Sequence, residues 1–453
     1  MDKFHLDKAL TPQGWRENIV LSIGADGIIA AVDEGAPAAD AVRIRGFALP
    51  GLPNLHSHAF QRGIAGLTEV AGAGDDSFWT WRDWMYRFAL ALDPDDVEAI
   101  AALAYVEMLE AGLTTVGEFH YLHHDRDGRP YADPAELGRR CVAAAAETGL
   151  AITLLPVFYA HSGFGGQPPG EGQRRFICDL DLFGRVAGGA AGAAASYARG
   201  RFGIAPHSLR AVTQDELRLL TGAFPDCPIH IHVSEQVKEV DDCLAAHGAR
   251  PIALLADTVP LSERWCLIHA THADADERAA MARAGAVVGL CPITEANLGD
   301  GLFEGVDFSG RGGRFGVGTD SNVAISATAE LSMLEYSQRF LTRRRNALSP
   351  RNASTGRTLF DSCLAGGAQA LGLGTVGLAV GAPADFVVLD AGHIAFAGRT
   401  GDAVIDSWIF GPSAGAVSEV YVSGRRVVDG GRHVARPAIE ARARKVLERV
   451  IAA

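Results

Sequence analysis

Eight short apolar runs, each separated from the next by a stretch of helical texture, constrain this chain more than any other feature. They are 49–58 (LPGLPNLHSH), 113–119 (LTTVGEF), 152–158 (ITLLPVF), 201–207 (RFGIAPH), 228–234 (PIHIHVS), 265–270 (WCLIHA), 286–292 (AVVGLCP) and 314–320 (RFGVGTD). Apolar runs of this length alternating with helices are the pattern of a parallel sheet covered on both faces. Eight in succession predict an α/β fold, a closed (β/α)8 barrel of the TIM type, whose functional groups gather at the C-terminal ends of the strands. One connecting helix can be read closely. Asp93 is its N-cap, Pro94 its first residue, and Val97, Ile100, Ala101, Ala104, Met108 and Ala111 keep helical spacing until Gly112 stops it.

The two ends have a different texture. Residues 19–32 (IVLSIGADGIIAAV) are two β-rich runs broken by Gly24-Ala25-Asp26-Gly27, and 384–390 and 417–428 repeat the style, the latter broken at Ser423-Gly424. These breaks predict hairpins and antiparallel sheet at both ends. The expected organisation is a small composite β-sandwich domain from 1–49 and 377–453, with the barrel domain over 50–376. Residues 159–176, rich in Gly, Pro and Gln, are expected to form a surface loop of lid length. The small-residue run 184–198 is expected to be a tightly packed helix or loop without function.

Charge narrows the partners. With 41 Lys plus Arg against 54 Asp plus Glu, the net charge is −13, which disfavours nucleic acid and anionic membrane surfaces. No apolar stretch is long enough to span a bilayer, and residues 1–15 hold no hydrophobic signal segment. Seven cysteines, odd in number and never paired as C-x-x-C, point to reduced thiols and the cytoplasm.

The chemistry-bearing residues fall at the ends of the predicted strands. His56-Ser57-His58 closes the first run, and alternate residues of a strand point the same way, so both imidazoles can reach one ion. His230-Ile231-His232 lies in the fifth run with Glu235 three residues on, and Asp320 closes the eighth. Three imidazoles and one carboxylate suit Zn²⁺ or Fe²⁺, with a water in the remaining position.

An H-x-H on the first strand, with His, His and Asp on the fifth, sixth and eighth, resembles the amidohydrolase superfamily over nearly the whole chain. The resemblance implies that His56, His58, His232 and Asp320 bind the metal and that Glu235 shuttles protons. It puts His269, in LIHATH, beside the metal-bound water, which His269 and Asp320 would orient or deprotonate. His230, two residues deeper, is then structural, and His272 is expected to be exposed beyond the strand. Two-metal members bridge their ions with a carboxylated lysine at the end of the fourth strand. RFGIAPHS offers none, and Lys238 lies past the fifth strand, so one divalent ion is expected, zinc before iron, in a deaminase.

The stretches 54–69, 76–88 and 114–125 are similar to the formimidoylglutamate deiminase family. This implies hydrolysis of N-formimino-L-glutamate to N-formyl-L-glutamate and ammonia by a metal-activated hydroxide, in histidine degradation. Gln61, Arg82, Tyr121, His207 and Arg210 would contact the glutamate moiety, and Glu235 the cationic formimino group. Arginine forks match the carboxylates of a dianion. Arg82, set among Trp79, Trp81 and Trp84, could instead stack on an aromatic face. The alternative is a deaminase of a purine, pyrimidine or triazine ring, and the arginine pair is the discriminator. His120, His123 and His124 are expected to be loop and supporting residues rather than a second metal site. Apart from the small-molecule substrate, the partner expected is a second copy, as a homodimer.

Overall fold

The computed structural model describes residues 2–35, 40–71 and 78–452. Asp76 and Ser77, which open the stretch 76–88, lie outside the described residues. Eight strands follow the expected order: Leu52–Ser57, Leu113–His120, Ala151–Phe158, a split fourth strand (Gly200–Phe202 and Ala205–Pro206), Ile229–Val233, Trp265–His269, Val287–Leu290 and Arg314–Val317. They form two parallel ladders, the first to fourth strands and the fifth to eighth.

Rather than one continuous closed ladder, the ring is joined at two seams by isolated bridges, Ile204↔Ile229 and Ser208↔His232 on one side and Ser57↔Asp320 on the other. At the seams His232 N donates to His207 O at 3.0 Å, Asp320 N to His56 O at 3.0 Å and His58 N to Asp320 O at 2.9 Å. The ring is thus tied together by the backbone of the chemistry-bearing residues. Gly318 permits the second seam, since a Cβ there would lie 2.8 Å from His56 O.

Pro94–Glu110 is a helix with the predicted cap. Asp93 accepts from Asp96 N, and the Asp96 side chain accepts from Asp93 N in return. Ala111 caps its other end, and Gly112, at φ +87°, takes the left-handed conformation that turns the chain into the second strand. The small-residue run forms the helix Leu180–Ala195. Residues 159–179 are loop apart from one 3-10 turn, Glu171–Gln173.

The two chain ends build a single eight-stranded sheet. Asp2–Thr11, Gly14–Ile23, Ile29–Glu34 and Val42–Pro50 come from one end, and Phe386–Leu389, Val417–Val422, Arg425–Asp429 and Arg432–His433 from the other. Two features depart from the sequence expectation. The sheet is mixed, because Asp2–Thr11 runs parallel to Val42–Pro50. Leu49 and Pro50, read as the start of the first barrel strand, pair instead with Phe386 and Val387, and the barrel strand begins at Leu52.

Tyr421 and Phe4 lie on strands three places apart in this sheet, about 14 Å if it were flat, yet their rings are 5.3 Å apart. The sheet therefore curls around a core of its own that includes Phe4, Leu6, Leu21, Ile44, Phe386 and Val388. The alternate residues Val387 and Leu389 face the other way, into the large core shared with the barrel.

Candidate active site

The floor of the site is made where strand ends meet. His56 and His58 project from one face of the first strand, with their ring centroids 4.7 Å apart. His232 from the fifth strand brings its Nε2 to 3.1 Å from His56 Nε2. Asp320, just beyond the eighth strand, holds Oδ1 3.3 Å from Nε2 of both His56 and His58. These four donor atoms lie within 4.8 Å of one another and all four residues are buried.

Burial holds these imidazoles neutral. It depresses the His56 pKa to about 3 and lowers those of His58 and His232, which also repel one another as cations. His58 Nδ1 sits 2.8 Å from Phe119 O, so that nitrogen donates and Nε2 presents its lone pair inward. Burial alone would raise Asp320, but the hydrogen bond from His56 and the surrounding imidazoles of His56, His269 and His58 hold its carboxyl below the usual range. Neutral nitrogens converging on one carboxylate are the donor set of a divalent cation. His230 stands apart, fully buried with Nε2 2.8 Å from Ala370 O, in the structural role expected of it.

The backbone is strained around this floor. Ser234, His269, Ala270, Asp320 and Asn322 all have φ between +45° and +68° at the ends of the fifth, sixth and eighth strands. Left-handed conformations are costly for residues other than glycine and concentrate at functional sites. Asn322 holds one of the turns, donating from Nδ2 to Ser57 Oγ, His58 O and Asp320 O at 3.1 Å each.

His269 and Glu235 stand beside the ligands. His269 Nε2 lies 3.7 Å from Asp320 Oδ2 and 3.8 Å from Glu235 Oε1. Burial would lower its pKa, but Glu235, Glu295 and Asp320 together raise it to about 10. Glu235 is itself lifted by burial to about 7, against the pull of His269 and Arg210. A histidine and a carboxyl so placed can exchange a proton with a reacting molecule between them.

Glu295, which the sequence motifs did not single out, holds the far side of His269. Its Oε1 is 3.2 Å from His269 Nδ1 and accepts from Cys291 N at 2.9 Å. It belongs to the helix Pro292–Leu298 after the seventh strand. The only sequence signal is a carboxylate one turn into a helix that starts at a strand end with Pro292.

Above the floor opens a cavity of about 560 Å³. Gln61, Arg82, Tyr121, His207 and Arg210 line it together with His58, His232, Glu235, His269 and Asp320, while His56 lies beneath. Gln61 Nε2 donates to Tyr121 OH at 2.5 Å. Arg210 is buried, its Nη2 4.0 Å from Glu235 Oε2. Arg82 lines the cavity, and its guanidinium lies 4.5 Å from the Trp79 ring centroid, the stacking its aromatic neighbours suggested. Phe78, Met85, Tyr86, Tyr159 and Phe176, which were not singled out from the sequence, line the cavity too, with Trp81, Thr294, Leu298 and Ser321.

Three further histidines, His272, His123 and His124, have carbonyl partners. His272 is half-buried rather than exposed, because Nε2 is tied to Asp300 O at 2.8 Å. His123 Nε2 lies 2.8 Å from Val157 O and His124 Nε2 2.7 Å from Ile177 O. His120 Nδ1 is 3.5 Å from Cys141 Sγ, with Glu118 in the same buried group. Burial raises both the Cys141 thiol and the Glu118 carboxyl, the latter to about 8, so both keep their protons and ligate poorly. Lys238 is on the surface, paired with Asp242 at 2.7 Å.

A His/His/His/Asp cluster at the strand ends of an eight-stranded parallel α/β barrel is the arrangement of the amidohydrolases. The model "Amidohydrolase family" matches residues 47–427, and the chain belongs to that family. Residues 1–44 match a second model, "Formimidoylglutamate deiminase HutF, N-terminal domain". A formimidoylglutamate deiminase of Pseudomonas aeruginosa is 52% identical over 439 residues, 96% of each chain. A 5-methylthioadenosine/S-adenosylhomocysteine deaminase of Shouchella clausii is 25% identical, over 88% of this chain and 87% of its own. The crystal structure of an amidohydrolase from Brucella melitensis superposes with a TM-score of 0.96 at 50% identity, covering 100% of both chains.

Proposed function

We propose that this chain hydrolyses N-formimino-L-glutamate to N-formyl-L-glutamate and ammonia, as a step of histidine degradation. The observation that carries this reading is the opening of Arg82, Arg210 and Glu235 onto the same cavity as the ligand cluster. A dianion with one cationic end needs both signs of charge above the reacting carbon, and a neutral heterocycle does not.

A divalent ion, zinc in this proposal, would be held by His56, His58, His232 and Asp320 and would supply Lewis acidity toward water. Arg82 and Arg210 grip the two carboxylates, with Gln61, Tyr121 and His207 completing the contacts to the glutamate moiety. Glu235 pairs with the formimino nitrogen and carries the proton that lets it leave as ammonia. His269, steadied by Glu295, orients the attacking water, and Asp320 takes its proton.

The same proposal includes a homodimer in the cytoplasm, consistent with seven free cysteines. It divides the chain into 1–49 with 377–453 and 50–376, supported by the separate core inside the curled sheet.

The test is ammonia release from N-formimino-L-glutamate by zinc-loaded protein, with N-formyl-L-glutamate, formamide and glutamate quantified in the same tube. Ammonia with N-formyl-L-glutamate is expected. Formamide with glutamate would mean cleavage of the other C–N bond and would overturn the placement of Glu235. No turnover by metal-loaded protein would overturn the substrate and return the ring deaminases.

A further inference from the structure

Arg175 is completely buried in the loop 159–179, although it belongs to neither the ligand cluster nor the cavity lining. Its hydrogen-bond partners among the described residues are carbonyl oxygens and one phenol, with no carboxylate. Nη1 donates to Leu92 O at 2.8 Å and to Ala89 O, Nε donates to His124 O at 2.8 Å, and Nη2 reaches Tyr131 OH at 3.5 Å. Its own carbonyl accepts from His123 N at 2.9 Å and His124 N at 3.1 Å. One residue therefore joins the end of the helix Phe78–Ala91, the loop, and the segment after the second barrel strand.

The last carbonyls of a helix lack partners within it and form the negative end of its dipole. A buried guanidinium satisfies both needs, and its rigid fork can hold several carbonyls at fixed angles where a lysine holds them loosely. The helix clamped in this way carries Arg82, Met85 and Tyr86, all facing the cavity. Phe176, the next residue after Arg175, packs its ring 5.7 Å from Tyr86, 5.0 Å from Tyr121 and 5.9 Å from Tyr159. Gly172 shows how closely the loop seats, since a Cβ there would lie 2.8 Å from the Tyr86 ring.

We propose that Arg175 is a positioning residue for substrate recognition, clamping the helix Phe78–Ala91 to the loop so that Arg82 is held where a substrate carboxylate binds. The proposal rests on the assignment of Arg82 to a carboxylate of N-formimino-L-glutamate. Arg175 touches neither substrate nor metal ligands, so its loss acts on binding and leaves the chemical step intact.

Arg175→Lys keeps the charge and removes the fork. The expected result is a KM for N-formimino-L-glutamate raised at least tenfold, with kcat within threefold of wild type and an unchanged metal content. Adding Arg82→Met to this variant should raise KM further by much less than Arg82→Met does alone, because both changes remove one interaction. An unchanged KM, a fall in kcat at constant KM, or full additivity of the two changes would each overturn the proposal.

Hydrogen exchange supplies a readout independent of turnover. Peptides covering 78–91 and 171–178 should lose protection together in Arg175→Lys, and unchanged exchange in both would sink the clamp. An inactive wild type would count against the substrate assignment instead, and is told apart because the exchange response needs no turnover. Should Arg175→Lys fail to accumulate, Gly172→Ala disturbs the same seat from the side of Tyr86. It should raise KM in the same way, and an unchanged KM there refutes the proposal.

Discussion

His56, His58, His232 and Asp320 sit on or beside backbone that is hydrogen-bonded from strand to strand, whereas Arg82, Tyr86, Tyr159 and Phe176 are carried by a helix and a loop outside the barrel. The backbone of the floor is held by the same bridges that join the ring. The wall is fixed by side chains: the Arg175 clamp, aromatic packing around Phe176 and the stacking of Arg82 on Trp79. Chemistry is thus anchored in the fold and recognition in its attachments.

The sharpest way to break the comparison is to strike the floor. Asp320→Ala removes a ligand while leaving the backbone bridge Ser57↔Asp320 its N–H and C=O groups, and should lower kcat/KM by about ten-thousandfold with loss of bound metal. Metal analysis of the purified variant checks it, and a full complement of tightly held metal would remove Asp320 from the ligand set. Glu235→Gln strikes beside the floor without touching a ligand. It should keep its metal while kcat falls about a thousandfold, the scale of a lost proton carrier, and a loss of metal would instead make Glu235 a ligand.

The difference between floor and wall also decides what could be read from the sequence. His56, His58, Asp320 and the pair His230 and His232 were legible because strand alternation and strand ends place them without knowledge of packing, whereas the choice of His232 and the place of His269 came from the family resemblance. The wall was legible at the polar residues Gln61, Arg82, Tyr121, His207 and Arg210, through the resemblance that named them. Tyr86, Tyr159 and Phe176 look like ordinary apolar residues until the loop is seen folded on the helix. Glu295 was missed for a related reason, since its link to His269 spans 26 residues and two strands and follows no periodicity. At the chain ends the hairpin breaks gave the antiparallel pairs, but not the parallel pairing of Asp2–Thr11 with Val42–Pro50, which joins residues no turn connects. The curl of that sheet depends on Phe4 meeting Tyr421 from the far end of the chain.

A strike on the wall should have a different signature. Arg210→Met removes a buried cation from the cavity and should raise KM about a hundredfold, the scale of a lost charged pair at ~2–3 kcal/mol. Its kcat at saturating substrate should fall far less than in Glu235→Gln. Steady-state kinetics separate the two, and a variant in which kcat collapses at unchanged KM would merge wall and floor into one machine.

The smallest effect is expected beneath the floor. Glu118 accepts from Ala59 N at 2.7 Å and from Tyr105 OH at 3.2 Å, directly behind the strand that carries His56 and His58. Burial lifts its pKa from 4.5 to about 8, so near neutrality the folded chain holds a proton there that the unfolded chain releases. Stability from this group is therefore fully present below about 4.5 and is lost as the pH rises through about 8. Asp300, raised by burial and its acidic neighbours to about 9, slopes the same way, so only a difference between variants isolates Glu118. Glu118→Gln keeps an oxygen for Ala59 N and cannot ionise. Between pH 5 and pH 8.5 its unfolding free energy from urea titration should fall less than that of the wild type, by about 1–3 kcal/mol, while kcat at pH 7 stays within about threefold. Parallel pH dependence in the two proteins would mean that Glu118 is charged when folded. The floor would then rest on a buried anion, and its rigidity would owe as much to electrostatics as the wall's does.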